Sequence, residues 1–260
     1  MAEKMINEQE PAISVREFKT GYDDSVLLEK INFDVLRKEV FVILGGSGCG
    51  KSTLLKHLIG LHKPWEGSIK ILGNELTHSK EGEMNSIRRQ FGVMYQSGAL
   101  FGSMTLLQNV SLPIKEWTKL PDSAVKDIAL WRLSQVGLGN FSDFVPSEIS
   151  GGMRKRAAIA RAMAMDPQIL FLDEPGAGLD PITSADLDQL ILKLRDELGM
   201  TFVVVTHELE SVFNIASTCI MLDKETKGII GMGQPSQLRD ECENPKVRQF
   251  FSRTPTTDNS

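Results

Sequence analysis

The chain has 260 residues, 41% of them hydrophobic and 24% charged, with a formal net charge of −5. That size and balance suit a globular chain with a full core, and the mild negative charge argues against non-specific nucleic-acid binding. No apolar run approaches the ~18–20 residues that span a bilayer, and the opening MAEKMINEQEP lacks a signal peptide's apolar core, so a cytoplasmic chain is expected, with any membrane role supplied by a partner.

In chain order, ISVREF (13–18) and INFDV (31–35) alternate apolar and polar residues, which predicts half-buried, antiparallel strands. VFVILG (40–45) is a continuous apolar run ending in glycine, the pattern of a strand buried on both faces of a parallel sheet. TLLKHLIGLH reads as a helix and GSIKILG (67–73) as another alternating strand. Residues 84–90 read as helical and lead into a short strand, FGVMYQ (91–96). From Ser97 to about Pro167 the strand signal vanishes, and helical patterns separated by LPDSA and GLGNFSDFVPSE indicate a helical insertion. QILFLDE (168–174) and TFVVVTHE (201–208) are further buried strands, with the amphipathic ITSADLDQLILKLRDELG between them. CIMLD and GIIGMG close a layered α/β core, and the terminal SRTPTTDNS is polar and expected to fray. Cys49, Cys219 and Cys242 are dispersed, in no metal-ligand spacing.

Chemistry concentrates at the strand ends. GGSGCGKST satisfies G-x-x-x-x-G-K-[ST] through Gly45, Gly50, Lys51 and Ser52, after a buried strand and before a helix. Amides of Gly46, Ser47, Gly48, Cys49 and Thr53 would turn towards a β-phosphate. Lys51 would neutralise the β- and γ-oxygens, and the Ser52 hydroxyl would ligate Mg²⁺. The alternative is a glycine-rich turn without chemistry. Asp173, at a strand end, would hold Mg²⁺, and Glu174 would polarise the attacking water, although such carboxylates often only cap helices. A helix N-terminus is expected just after this strand, which would keep Asp173 ionised. His207 ends a strand expected beside that of Asp173, and Gln96 ends another, within reach of Mg²⁺ and water. A second candidate anion cradle opens at Ser150-Gly151-Gly152, where Arg154, Lys155 and Arg156 would add positive charge to a helix N-terminus.

A phosphate loop, Gln96, ISGGM, ILFLDEP, GLDP and TH in this order resemble the nucleotide-binding subunit of ATP-binding-cassette (ABC) transporters, over residues 12–240. The resemblance implies a P-loop NTPase fold: an ATP-binding core over 12–96 and 168–242 with an antiparallel β subdomain, an inserted α-helical subdomain over 97–167, and a tail over 243–260. It implies ATP and Mg²⁺ as ligands and a second copy of the chain as partner. In that pair, Ser150, Gly151, Gly152 and Met153 of one subunit would close on the γ-phosphate held by the other. By the same resemblance Tyr22 would stack on adenine, Gln96 would sense Mg²⁺ and the membrane partner, Asp180 would link the two sites, and His207 would act as the switch histidine. The chain departs from the common pattern at Met153 (usually Gln), Ile149 (Leu), Ala177 (Ser) and Gly46 (Pro), none of which removes a charge or metal ligand.

YQSGALF, PSEISGGMRKRAAIARA, LDPIT and NPKVRQFF are similar to the ATPase subunits of Mce/Mla-type lipid transporters. That branch implies phospholipid movement between inner and outer membranes, peripheral attachment at the cytoplasmic face of the inner membrane, and three partners: a permease, an Mce-domain substrate-binding protein and a small accessory subunit. SGALFGSMTLLQNVSLPI is apolar for a surface segment, in part core and in part the expected dock of the permease. The chain is too short for an appended regulatory domain, and its NPKVRQFF tail is expected to pack locally or on the partner ATPase. An importer ATPase for a polar solute and a soluble ABC ATPase outside transport remain as alternatives.

Overall fold

A hairpin of β1 (Ile13–Tyr22) and β2 (Ser25–Val35) opens the fold in the computed structural model, which describes residues 10–252. Both strands outrun their period-two stretches. Register shifts follow Val15 and Phe18, and Glu17 and Lys30 take left-handed backbone (φ 46 and 53). Irregularities of this kind reset the side-chain alternation, so the sequence pattern stops where the strand does not. β3 (Val40–Gly45) is buried along its whole length and runs through the nucleotide loop into α1 (Lys51–Leu58). β4 (Glu66–Ile71) pairs with β1, and the two-residue β5 (Asn74–Glu75) pairs with β4; β5 is too short to leave a period. The next helix, α2, spans Glu81–Arg88 rather than 84–90, because Glu83 caps it by accepting from the Lys80 N–H. It leads into β6 (Phe91–Met94).

The interval without strands contains α3 (Leu106–Trp117), α4 (Asp122–Gln135), two 3₁₀ turns and α5 (Gly151–Ala162). Asn109, fully buried on α3, fixes the loop before that helix. Its amide donates to the carbonyls of Phe101, Met104 and Thr105, and its oxygen accepts from Phe101 N–H. The chain then alternates through β7 (Ile169–Asp173), α6 (Pro181–Leu198), β8 (Thr201–Val205), α7 (Leu209–Ile215), β9 (Thr218–Asp223) and β10 (Gly228–Gly233). It closes with α8 (Pro235–Asp240) and α9 (Pro245–Ser252).

β2-β1-β4-β5 form one antiparallel sheet, and the other has the order β10-β9-β3-β8-β7-β6, parallel except for β10. Every residue of β3 and β8 is buried, which explains their unbroken apolar runs. Odd and even positions nevertheless face different cores. Val40, Val42 and Leu44 join Leu170, Leu172, Phe202 and Val204 under the helices α3–α7, whereas Phe41 and Ile43 join Phe171, Val203 and Val205 between α1 and the antiparallel sheet. Each such large side chain contributes roughly 1.5–3 kcal/mol by leaving water.

The tail helix packs on its own chain. Val247 and Phe251 of α9 are buried, Phe251 meets Phe213 of α7 edge-on, and Lys246 pairs with Asp223 and Glu225. Residues 253–260, which carry the expected frayed end, lie outside the described residues, as do residues 1–9.

Candidate active site

Parallel strands gather the chemistry at their carboxyl ends. β3 lies between β9 and β8, and β8 lies between β3 and β7. In register, Ile43 faces Val205 and Val205 faces Asp173, so the nucleotide loop, His207 and the Asp173–Glu174 pair leave the sheet at one level. A crevice outside the carboxyl ends of such strands is where open α/β sheets bind ligands.

The loop takes its shape from three glycines with positive φ: Gly45 (145), Gly48 (74) and Gly50 (102). A Cβ on Gly45 would lie 2.5 Å from both Cys49 Sγ and Leu222 O, whereas one on Gly46 or Gly48 would meet nothing within 4 Å. The loop is therefore pinned underneath and open above. Ser47 and Ser52 are exposed, Thr53 is half-buried, and no acidic residue occupies the first turn of α1, whose positive end is left for an anion. Lys51 Nζ donates to Gly45 O (2.8 Å) and Gly46 O (3.0 Å), which curls it back over the loop. Cys49 is buried and burial raises its thiol pKa, which disfavours the reactive thiolate.

Asp173 departs from expectation. No helix starts directly after β7; a turn over 174–178 intervenes, and α6 begins at Pro181 with Asp180 as its cap. Burial, and then the Glu174 charge, raise the Asp173 pKa instead of lowering it. Its Oδ1 is buried without a hydrogen-bond partner, as is Oε2 of Glu174. Two such oxygens near the phosphate loop suit a divalent cation, which fits Asp173 as a Mg²⁺ ligand, while Ser52 and Gln96 both expose oxygen-bearing side chains. The other Glu174 oxygen, Oε1, accepts from His207 Nδ1 at 2.9 Å; Glu174 is 13% exposed and His207 64%. Glu174 itself sits in left-handed backbone at φ 47.

Gln96 lies two residues past β6, with its side chain exposed. Tyr22 closes β1 at 57% exposure, and its hydroxyl lies 2.9 Å from Thr53 Oγ1 on α1. Ser150 caps α5, accepting from Met153 N–H at 3.2 Å, and the helix starts at Gly151 and Gly152 with Met153 half-buried. Gly152 has no room for a side chain, since a Cβ would lie 2.4 Å from Thr183 Cγ2. Asp180 caps α6 through the amides of Ile182 and Thr183, and its hydrogen bonds to Thr183 lower its pKa. The basic triplet does not form the expected cradle. Arg154 donates to Ile149 O, Arg156 to the carbonyls of Val136 and Asp186, and Lys155 points inwards, so these charges hold the fold together.

Two residues here have roles that the motif reading missed. Glu208 accepts from Ser184 Oγ at 3.1 Å and occupies the space that a Cβ on Gly176 would need. Lys155 bonds the carbonyls of Gln96 and Glu174. Its signal was present in the sequence: Gly152, Lys155 and Ile159 share the i, i+3, i+7 stripe that α5 buries, and a lysine there needs a partner.

Residues 28–177 match the family model described as "ABC transporter", a span containing the loop, Ser150 and the Asp173–Glu174 pair. The chain belongs to the ABC transporter family. The Mycobacterium leprae "probable ribonucleotide transport ATP-binding protein mkl" is 41% identical over 93% of the chain and 69% of the relative. The Haemophilus influenzae "intermembrane phospholipid transport system ATP-binding protein MlaF" is 37% identical over 90% of the chain and 87% of the relative. A dimeric post-hydrolysis state of the ATP-binding cassette MJ0796, bound to ADP and Pi, superposes with a TM-score of 0.76 at 30% identity, covering 85% of this chain and 98% of that one. This ABC protein is thus an ATPase that uses ATP and Mg²⁺. No helix among the described residues is long and apolar enough to cross a membrane.

Proposed function

We propose that the chain powers phospholipid transport between the inner and outer membranes as a pair of copies beneath a permease. MlaF-type relatives that match 90–92% of the chain and 87–88% of their own length support this reading. The core over 12–96 and 168–242 binds nucleotide, the helices over 97–167 carry Ser150, and in the tail that starts at 243 the helix α9 (Pro245–Ser252) buttresses β10 and α7. ATP lies between the Lys51 loop of one copy and Ser150, Gly151, Gly152 and Met153 of the other, with Tyr22 against adenine. Asp180 joins the two sites. Ser52, Asp173 and Gln96 would hold Mg²⁺, which would supply positive charge to the phosphates. Glu174 orients and polarises water for in-line attack on the γ-phosphate, and His207, now on Glu174 Oε1, steadies that carboxylate or the phosphate beside it.

The permease docks on the helical side. There a groove of about 600 Å³ runs between α3 and α4, lined by Met104, Leu107, Leu112 and Val125, and Phe101 stands 49% exposed. The chain sits at the cytoplasmic face of the inner membrane, with an Mce-domain protein and a small accessory subunit completing the complex.

The observation that carries the hydrolytic assignment is Glu174, with one oxygen on His207 and the other buried without a partner beside the phosphate loop. In Glu174→Gln, phosphate release should fall about 10²- to 10⁴-fold while ATP binding persists and closed dimers accumulate. Wild-type turnover would remove Glu174 from the role. The M. leprae relative, named for ribonucleotide transport, favours a second reading as a polar-solute ATPase. Phospholipid, and no nucleotide cargo, should copurify with the assembled complex, and the reverse would decide for the second reading.

A further inference from the structure

Lys155 occupies a position that the motifs leave unexplained. It lies on α5, five residues beyond Ser150, and is only 8% exposed. Its Nζ donates to Gln96 O at 2.6 Å and to Glu174 O at 3.2 Å, both main-chain carbonyls. An ammonium withdrawn from water must spend its protons on strong acceptors, and burial lowers the Lys155 pKa.

The acceptors are not a random pair. β6 and β7 run parallel with Met94 facing Leu172, and Gln96 and Glu174 each lie two residues further on. Sheet pairing has ended at that level, so the ammonium bridges the two chains just where backbone hydrogen bonds no longer do. One of these chains is unusual in its backbone, since Glu174 sits at φ 47. A non-glycine residue in that region keeps its peptide orientation only when its surroundings hold it. The Glu174 amide is held by Val205 O at 2.8 Å; its carbonyl is held by Lys155 and by the amide of Ala177 at 3.2 Å.

We propose that Lys155 is a positioning residue for ATP hydrolysis, tying the peptides of Gln96 and Glu174 into one register so that the Glu174 carboxylate faces the attacking water. The inference rests on the reading of Glu174 as the group that polarises this water. A displacement of the segment after β6 is carried through the ammonium to the Glu174 peptide. Because Lys155 spends its hydrogen bonds on two main-chain carbonyls, its loss should affect turnover rather than binding.

The test compares wild type, Lys155→Met, Lys155→Arg and Glu174→Gln as purified full-length chains, measuring kcat, KM, ATP affinity without turnover, and Tm. Lys155→Met keeps the stem and removes the donors. Its kcat should drop about tenfold to a hundredfold, the range that misplacing a reacting group produces. KM and ATP affinity should stay within about threefold of wild type, and Lys155→Arg should recover most of the lost kcat. If Lys155→Met does not fold, Lys155→Gln, which retains an uncharged NH₂ donor on a shorter stem, is held to the same split between kcat and affinity. Wild-type kcat in Lys155→Met alongside a collapsed Glu174→Gln would overturn the inference alone. A parallel fall of kcat, affinity and Tm, unrelieved by Arg, would overturn it too, reducing Lys155 to a fold-holding contact. Normal turnover in Glu174→Gln would overturn the reading of Glu174 and this inference with it.

Discussion

Asp173 is held where its charge costs the fold stability, with Oδ1 buried and unpartnered. Burial and the Glu174 charge raise its pKa. A carboxyl whose folded pKa exceeds its unfolded value keeps its proton more tightly when folded. Ionising it therefore costs stability, absent below the ordinary carboxylate range and present in full once pH has risen through the folded value. At neutral pH and without Mg²⁺, Asp173→Asn should melt higher than wild type, by ~2–4 °C for each ~1 kcal/mol relieved in a chain this long. The same variant should lose the rise in Tm that Mg²⁺ with ATP gives wild type, which thermal melts with and without ligand would measure. No such pKa was legible in the sequence, because it depends on how far the fold buries the carboxyl beside Glu174 rather than on residue type. The motif residues were legible, as they announce themselves by spacing. Lys155 was concealed among flanking arginines, although its place on the buried stripe of α5 gave it away.

Among the elements, α5 is fixed to the sheet by an absence. Gly92 of β6 has no side chain, and a Cβ there would stand 2.0 Å from Ala162 O at the end of α5. Gly92→Ala must push helix and strand apart, at a cost of typically 1–3 kcal/mol. Tm should fall accordingly, and ATPase activity should fall with it because Ser150 rides on the other end of the same helix. An unchanged Tm would show that the helix shifts freely. Nothing within the short strand FGVMYQ set this glycine apart in the sequence. By contrast β3 was readable to the residue, since strands buried on both faces leave unbroken apolar runs. For the same reason β7 and β8 were readable as strands, although read one residue too far at each end of β7 and three too far at the end of β8. β1 and β2 were read short because left-handed residues at Glu17 and Lys30 interrupt the alternation, and β5 was missed because two residues carry no period.

For the molecule as a whole, α9 is a brace rather than an appendage. Val247 lies against Gly231 of β10, where a Cβ would come within 3.0 Å of it, and Phe251 packs on Phe213. Ending the chain after residue 243 would uncover both; losing a buried Phe alone typically costs 3–5 kcal/mol. Denaturant melts of that truncation should shift to a lower midpoint. Replacing Lys246 should matter little, since exposed ion pairs contribute ~0–1 kcal/mol. The parallel sheet also keeps two apolar interiors apart, with alternate side chains of β3, β7, β8 and β9 committed to one or the other. A consequence for divergence follows. Substitutions can accumulate in the interior under the helices without disturbing the packing of the other, which seats the base of the phosphate loop. One half of the molecule can thereby drift while the other keeps its shape.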